Sequence, residues 1–239
     1  MLFRSPPRVR AMLNENPEEC LEELNEHITR AVRMQEKVGL DIVSDGEWRR
    51  ASYIGVIAEL AHGFELSVSE DGRPWTIVVD ELSPKKPGFI AQEVAFLKTI
   101  TKKGIKATLP APALLGERMW DAEKSAKAYP NRKDFIRACV PILRAELTAL
   151  RKAGASIVQI DDPHLCLFVD PKVRARCDDP DAEAAFAVEM SNALTEGFDD
   201  ITIAVHLCRR AGARVRGDEQ HEGSFDVIIP FLNQLNVRH

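Results

Sequence analysis

Short apolar runs that end in acids, a histidine or a thiol alternate along this chain with segments of helical spacing, and that alternation restricts the fold more than any other feature. Ala155-Ser-Ile-Val-Gln-Ile-Asp161-Asp-Pro163 is the clearest run, entered through Gly154 and stopped by a proline. Leu40 to Glu47, Lys106 to Pro112 and Ile201 to Cys208 read the same way, and Trp75 to Val79 reads as a further strand or β-arm. Between them lie helical patterns. Asn16-Pro17-Glu18-Glu19 has the composition of a capped helix start, and Leu21, Leu24, Ile28, Ala31, Val32 and Val38 continue it until Gly39. A second helix is expected from Phe89 to Lys102, and a third from Asp134 to Lys152, which Pro141 should kink or divide. Asp179-Pro180 opens a fourth, alanine-rich helix ending near Gly197. Strands that alternate with helices pair in parallel through right-handed crossovers, which predicts an α/β fold.

Composition narrows the setting. The 239 residues suffice for one large domain, taken as residues 1–239, and 45% apolar with 29% charged residues is ordinary for a globular protein. A net charge of −5 without a long basic block argues against a nucleic-acid partner. No apolar run has the length of a signal peptide or a membrane span, so the expected location is cytoplasmic, with no membrane partner. Cys20, Cys139, Cys166, Cys177 and Cys208 show no C-x-x-C spacing, which argues against a disulfide framework and a zinc ribbon.

In parallel α/β folds chemistry gathers at the carboxyl ends of strands. Here those ends read Asp45-Gly46-Glu47, Leu109-Pro110-Ala111-Pro112, Asp161-Asp162-Pro163-His164 and His206-Leu207-Cys208. On an extended strand His206 and Cys208 share a face with Cα atoms about 6 to 7 Å apart. Imidazole and thiolate together suit zinc. Each residue also has a plainer role: a packed strand end for His206 and Cys208, a cap for Asp161 or Asp162, an Asx-turn for Asp45. Asp41, Asp45, Arg49, Arg50 and the charged 64–74 region are candidates to contribute to substrate binding, although a solvated surface role suits each better.

Asp45 to Arg50, Thr108 to Pro112 (T-L-P-A-P), Ile157 to Pro163 (I-V-Q-I-D-D-P) and Val205 to Arg209 (V-H-L-C-R) occur in an order and spacing that resembles the catalytic domain of cobalamin-independent methionine synthase, over roughly residues 15 to 239. The resemblance implies a (β/α)₈ barrel of TIM type, similar to uroporphyrinogen decarboxylase. It also implies methyl transfer from a methyl-folate to the thiol of homocysteine, with zinc as cofactor. By motif, His206 and Cys208 correspond to two zinc ligands. Glu47 and Asp161 correspond to the acids that hold the substrate amino group. Trp120, with Met119, follows the Pro110 strand and is a candidate to line the cleft for a flat methyl donor, although core packing suits both side chains.

The departures from the family pattern are as informative. The family opens with a strand bearing an I-G-S-like turn, where this chain has Met-Leu-Phe-Arg-Ser-Pro-Pro. Its zinc site takes a glutamate from beyond the next strand and a cysteine from a later one. About five barrel strands are legible where the fold has eight, so the expected architecture is a barrel lacking its first strand and its last two or three. Such a barrel exposes apolar surface and unpaired edges, which a homo-oligomer would cover. His221, Glu222, His239, His164 and Cys166 are the available substitute ligands. Three alternatives accompany the methyltransferase reading: a zinc-dependent alkyltransferase for another thiol, a non-catalytic truncated relative, and a metal hydrolase built on Asp161, Asp162, His164 and His206.

Overall fold

The computed structural model describes residues 20–50, 52–68, 74–208 and 222–239. The Asn16-Pro17 cap and His221 lie outside them. Helix α1 (Leu21–Lys37) buries Leu24, Ile28, Ala31 and Val32 of the stripe that the sequence spacing marks, while Leu21 and Val38 at its two ends are exposed, and Gly39 (φ 86°) turns the chain after it. Strand β1 (Ile42–Val43) is only two residues long, so most of the expected Leu40–Glu47 run is irregular, ending in a turn at Gly46 and Glu47. A short helix α2 (Ile57–Leu60) leads into an antiparallel hairpin of β2 (Ala61–Val68) and β3 (Pro74–Pro84). The hairpin confirms the arm at Trp75 and adds a partner strand that the charged sequence after Ala61 hides.

The remaining elements alternate as expected. Helix α3 (Ala91–Ile100) precedes β4 (Gly104–Pro110), and α4 (Pro112–Met119) and α5 (Arg132–Ala153) precede β5 (Ile157–Asp161). A 3₁₀ turn (Leu165–Val169), α6 (Pro171–Arg174) and α7 (Pro180–Thr195) then precede β6 (Thr202–His206). A second 3₁₀ turn (Phe225–Val227) and α8 (Ile229–Leu232) follow the strand. Pro141 does not divide α5. Phe135, Ile136, Cys139, Val140, Ile142, Leu143 and Leu147 are buried on both sides of it, and that packing outweighs one lost backbone donor. Asp179 caps α7 as its sequence predicts, accepting the Ala182 N–H.

The sheet order is β1-β4-β5-β6, all parallel. Ile105, Ala107, Leu109, Val158, Ile160 and Ile203 are buried in the main core, which they share with α1, α3 and α5. The alternate positions form layers across the opposite face: Lys106, Ile157 and Thr202, then Thr108, Gln159 and Ala204, then Pro110, Asp161 and His206. That second face is mostly polar, which is the pattern of a barrel lumen bearing a site rather than of an apolar sandwich. The architecture is an α/β, incomplete (β/α)₈-type barrel.

Both sheet edges are modified. β1 is too short to present a long ladder, and Gly104 beside it admits the close approach of Ile42, whose Cδ1 occupies the space that a Cβ would need. Beyond β6, the Arg238 N–H donates to the Ile203 carbonyl at 3.0 Å and the Val205 N–H to the His239 carbonyl at 2.8 Å. Residues 237–239 thus run along the open side of β6 and occupy part of its ladder.

Candidate functional site

Gly46 (φ 75°) and Glu47 (φ 61°) are consecutive left-handed residues after β1, and Glu47 is the one non-glycine with positive φ among the described residues. A glutamate in that conformation is strained by about 1–2 kcal/mol, and such strain concentrates at functional sites. The turn is closed by Asp45, whose Oδ1 accepts the Glu47 N–H at 3.0 Å, the Asx-turn expected of it. Its result is to turn the Glu47 side chain toward the end of β4, where Thr108 Oγ1 donates to Glu47 Oε1.

Arg50, read from sequence as surface, is instead 8% exposed, and Asp45 is 6% exposed. The Arg50 Nε and Nη2 groups donate to the two oxygens of Glu93 at 2.9 and 2.6 Å. Its Nη1 donates to the Thr108 carbonyl at 3.1 Å and to Thr108 Oγ1 at 3.0 Å, and stands 3.5 Å from Glu47 Oε1. The guanidinium fork supplies what this arrangement needs: several donors in one plane and no acceptor. Arg49 is structural, packed over the Phe96 ring and bonded to Asn25, while Asp41 is exposed and pairs with Lys103.

Glu93 went unrecognised in the sequence, although a signal was present. Ile90, Val94 and Leu97 are buried at helical spacing, and Glu93 lies on the same face of α3. A carboxylate there needs a partner. Burial, reinforced by the negative charge of Asp45 and opposed by Arg50, pushes Glu93 up to about 8. Burial likewise raises Asp45, against the pull of Arg50, and no described residue bonds its buried Oδ2. Arg50 is held charged: burial opposes its proton, and Glu93, Glu47 and Asp45 together more than offset that.

Asp161 ends β5 in register with Pro110 and His206. Lys106 Nζ donates to Gln159 Oε1 at 2.9 Å, and Gln159 Nε2 donates to Asp161 Oδ1 at 2.7 Å. Because lysine has only donors, it takes the amide oxygen and leaves the amide NH₂ for the acid. Burial raises the Asp161 carboxyl, Gln159 counteracts this, and the charges of Glu47, His206 and Arg50 all reach it. Thr108 and Gln159 are direct neighbours across β4 and β5, so the acids they hold, Glu47 and Asp161, meet at one mouth.

His206 is exposed at the last position of β6, and Cys208 lies half-buried two residues beyond the strand. The same-face geometry expected for the pair assumed a strand through Cys208; the strand ends at His206, where the Asp162 N–H takes the His206 carbonyl. Their chemistry fits two positions of a zinc site. Among the described residues no three His, Cys, Asp or Glu side chains come together as a metal-binding group. Asp162 caps the following 3₁₀ turn through the Leu165 N–H, and His164 is buried edge-on against Phe168, so the hydrolase constellation is not assembled. Glu222 and His239 are exposed, and Cys166 is buried in the turn after β5.

Met119 is a core residue. Trp120 packs against the same core, and its indole N–H donates to the Tyr129 carbonyl at 2.9 Å. None of the five cysteines is joined in a disulfide. Among the described residues no helix is long and apolar enough to cross a membrane.

Comparison with known proteins identifies the relatives of the chain. Residues 8–215 match the family of the cobalamin-independent synthase catalytic domain. YxjH of Bacillus subtilis is 28% identical over 229 residues, covering 89% of this chain and 59% of that protein. A methionine synthase of Sulfurisphaera tokodaii is 23% identical over 228 residues, covering 92% of this chain and 57% of its own length. The chain therefore spans a little under three fifths of the relatives it matches. Among solved structures, a B12-independent methionine synthase from Shewanella sp. W3-18-1 in complex with selenomethionine superposes with a TM-score of 0.64 at 24% identity, over 82% of this chain and 55% of that one. A structure from Listeria monocytogenes gives 0.65 at 20% identity, over 86% and 63%. At these identities the likeness is one of fold.

Proposed function

The chain belongs to the family of cobalamin-independent synthase catalytic domains, and on that premise we propose that residues 1–239 form one domain that binds homocysteine and supports methyl transfer to its thiol from a methyl-folate. The observation that carries the reading is the meeting of Glu47 and Asp161 at the strand ends, where His206 pairs with Asp161 in register. An α-ammonium group entering that mouth finds two carboxylates, each already oriented by a protein donor, and charge-assisted hydrogen bonds of this kind are the strong ones. Glu47 and Asp161 hold the amino end, which sets the thiol on the side of His206. Trp120, its N–H already used, offers only ring surface to the methyl donor.

Zinc held in part by His206 and Cys208 supplies, when bound, the Lewis acidity that keeps a thiol ionised near neutral pH. In the transfer the sulfur–carbon bond forms as the donor's nitrogen–carbon bond breaks, and the thiol proton reaches the donor nitrogen by way of solvent. The protein's own contribution is orientation: fixing the amino group limits the approach of sulfur to the methyl carbon.

Titration calorimetry of homocysteine with the parent, Glu47→Gln and Asp161→Asn tests the reading, followed by a methyl-transfer assay. Each variant is expected to weaken homocysteine about tenfold or more. Unchanged affinity in both sinks it. One observation favours a second reading, thiol binding without transfer: among the described residues no three His, Cys, Asp or Glu side chains form a metal-binding group. Homocysteine binding with no turnover in zinc-supplemented protein selects that reading.

A further inference from the structure

We propose that Thr108 is a positioning residue whose hydroxyl, directed by Arg50, aims the Glu47 carboxylate at the ligand's ammonium group. The inference rests on the amino-acid-binding role proposed for Glu47 and adds a residue that determines specificity. Its basis is the polarity of one hydrogen-bond chain. Arg50 Nη1 can only donate, and it donates to Thr108 Oγ1 at 3.0 Å. The threonine hydroxyl has a single hydrogen, and that hydrogen goes to Glu47 Oε1, which can only accept.

The chain therefore runs one way, from guanidinium to hydroxyl to carboxylate. Arg50 cannot turn aside, because Glu93 holds its other two nitrogens and its side chain is 2% exposed. Thr108 is held in place, because β4 pairs with β5 at this position, opposite Gln159, and the residue is buried. Glu47 is the movable member, its side chain 30% exposed. With Oε1 engaged by the hydroxyl, Oε2 has no hydrogen bond to a described residue and remains for an incoming cation. The strained turn at Gly46-Glu47 brings the carboxylate near; the hydroxyl selects its orientation.

A positioning role predicts a loss restricted to ligands that carry the ammonium group. Thr108→Val keeps the side-chain shape and removes the hydroxyl, and Thr108→Ser restores it. Calorimetry is performed with homocysteine and with 4-mercaptobutyrate, which has the same thiol and carboxylate but no amino group. Thr108→Val is expected to weaken homocysteine about tenfold and leave 4-mercaptobutyrate within about twofold, with Thr108→Ser close to the parent. In crystals of Thr108→Val the Glu47 carboxylate is expected to swing out of its present orientation; urea denaturation monitors folding of both variants.

An unmoved Glu47 in those crystals overturns the inference, as does an equal response of the two thiols, whether both fall or neither does. A parent that binds neither thiol overturns the proposed function instead. The position of Glu47 in the Thr108→Val crystals then decides the inference by itself.

Discussion

Arg50 and Glu93 face each other through two parallel hydrogen bonds of 2.9 and 2.6 Å, and both side chains are almost wholly removed from solvent. The pair joins the turn after β1 to helix α3, 43 residues apart in sequence. It supports the end of β4 through Thr108 and thereby the acid at the mouth of the barrel.

Breaking that pair from one side leaves a buried guanidinium with half its partners. Glu93→Ala is therefore expected to cost about 3–5 kcal/mol in urea denaturation. Glu93→Gln, which keeps one acceptor, should cost less. A loss under about 1 kcal/mol for the alanine variant would show that solvent reaches Arg50 freely.

The acid cluster makes stability depend on pH in a defined direction. Asp45 and Glu93 both hold protons more tightly folded than unfolded, mainly because of burial. Their stabilising contribution is fully present below the ordinary carboxylate range and is lost as pH rises, for Glu93 through about 8. Asp45→Asn keeps the acceptor for the Glu47 N–H and removes the charge on the unbonded oxygen. Its stability relative to the parent is expected to grow as pH rises from 4 to 8. Thermal denaturation at several pH values reads the difference, and a gain that shrinks on the alkaline side contradicts it.

Glu146 anchors α3 from a distance. Fully buried on α5, it accepts the N–H groups of Gly88, Ile90 and Ala91 at 2.5, 2.7 and 2.9 Å, in place of a capping side chain on α3 itself. Glu146→Ala leaves those donors unmet and is expected to destabilise the protein by about 2–3 kcal/mol. Hydrogen exchange should show the loss first in the amides of 88–91; uniform exchange across the sheet argues against a local cap.

Metal content tests the placement of zinc at His206 and Cys208. Zinc-reconstituted protein is expected to hold the ion through His206 and Cys208, so that His206→Ala and Cys208→Ser each lower bound zinc measured by atomic emission. Equal zinc in the parent and both variants places the ion elsewhere.

The amino-acid sequence by itself determined the alternation of strands and helices, most of the stripe on α1, the cap at Asp179 and the ends of β4 and β5. These features are local: periodicity, glycine, proline and capping residues act within a few positions of themselves, and they stay visible along a linear chain. The family motifs were legible for the same reason, each being a short run. What only the tertiary structure decided was which charges go inside. Arg50 and Asp45 look like ordinary surface residues beside Glu47, and Glu93 is one acid on a helix, until the packing of α3 against β4 removes water from all three. The β2 strand was hidden likewise, since its residues reveal an arm only beside Pro74–Pro84. Burial of a charge depends on partners far away in sequence, and a desolvated guanidinium satisfied by Glu93 and Thr108 exists only after those partners have met.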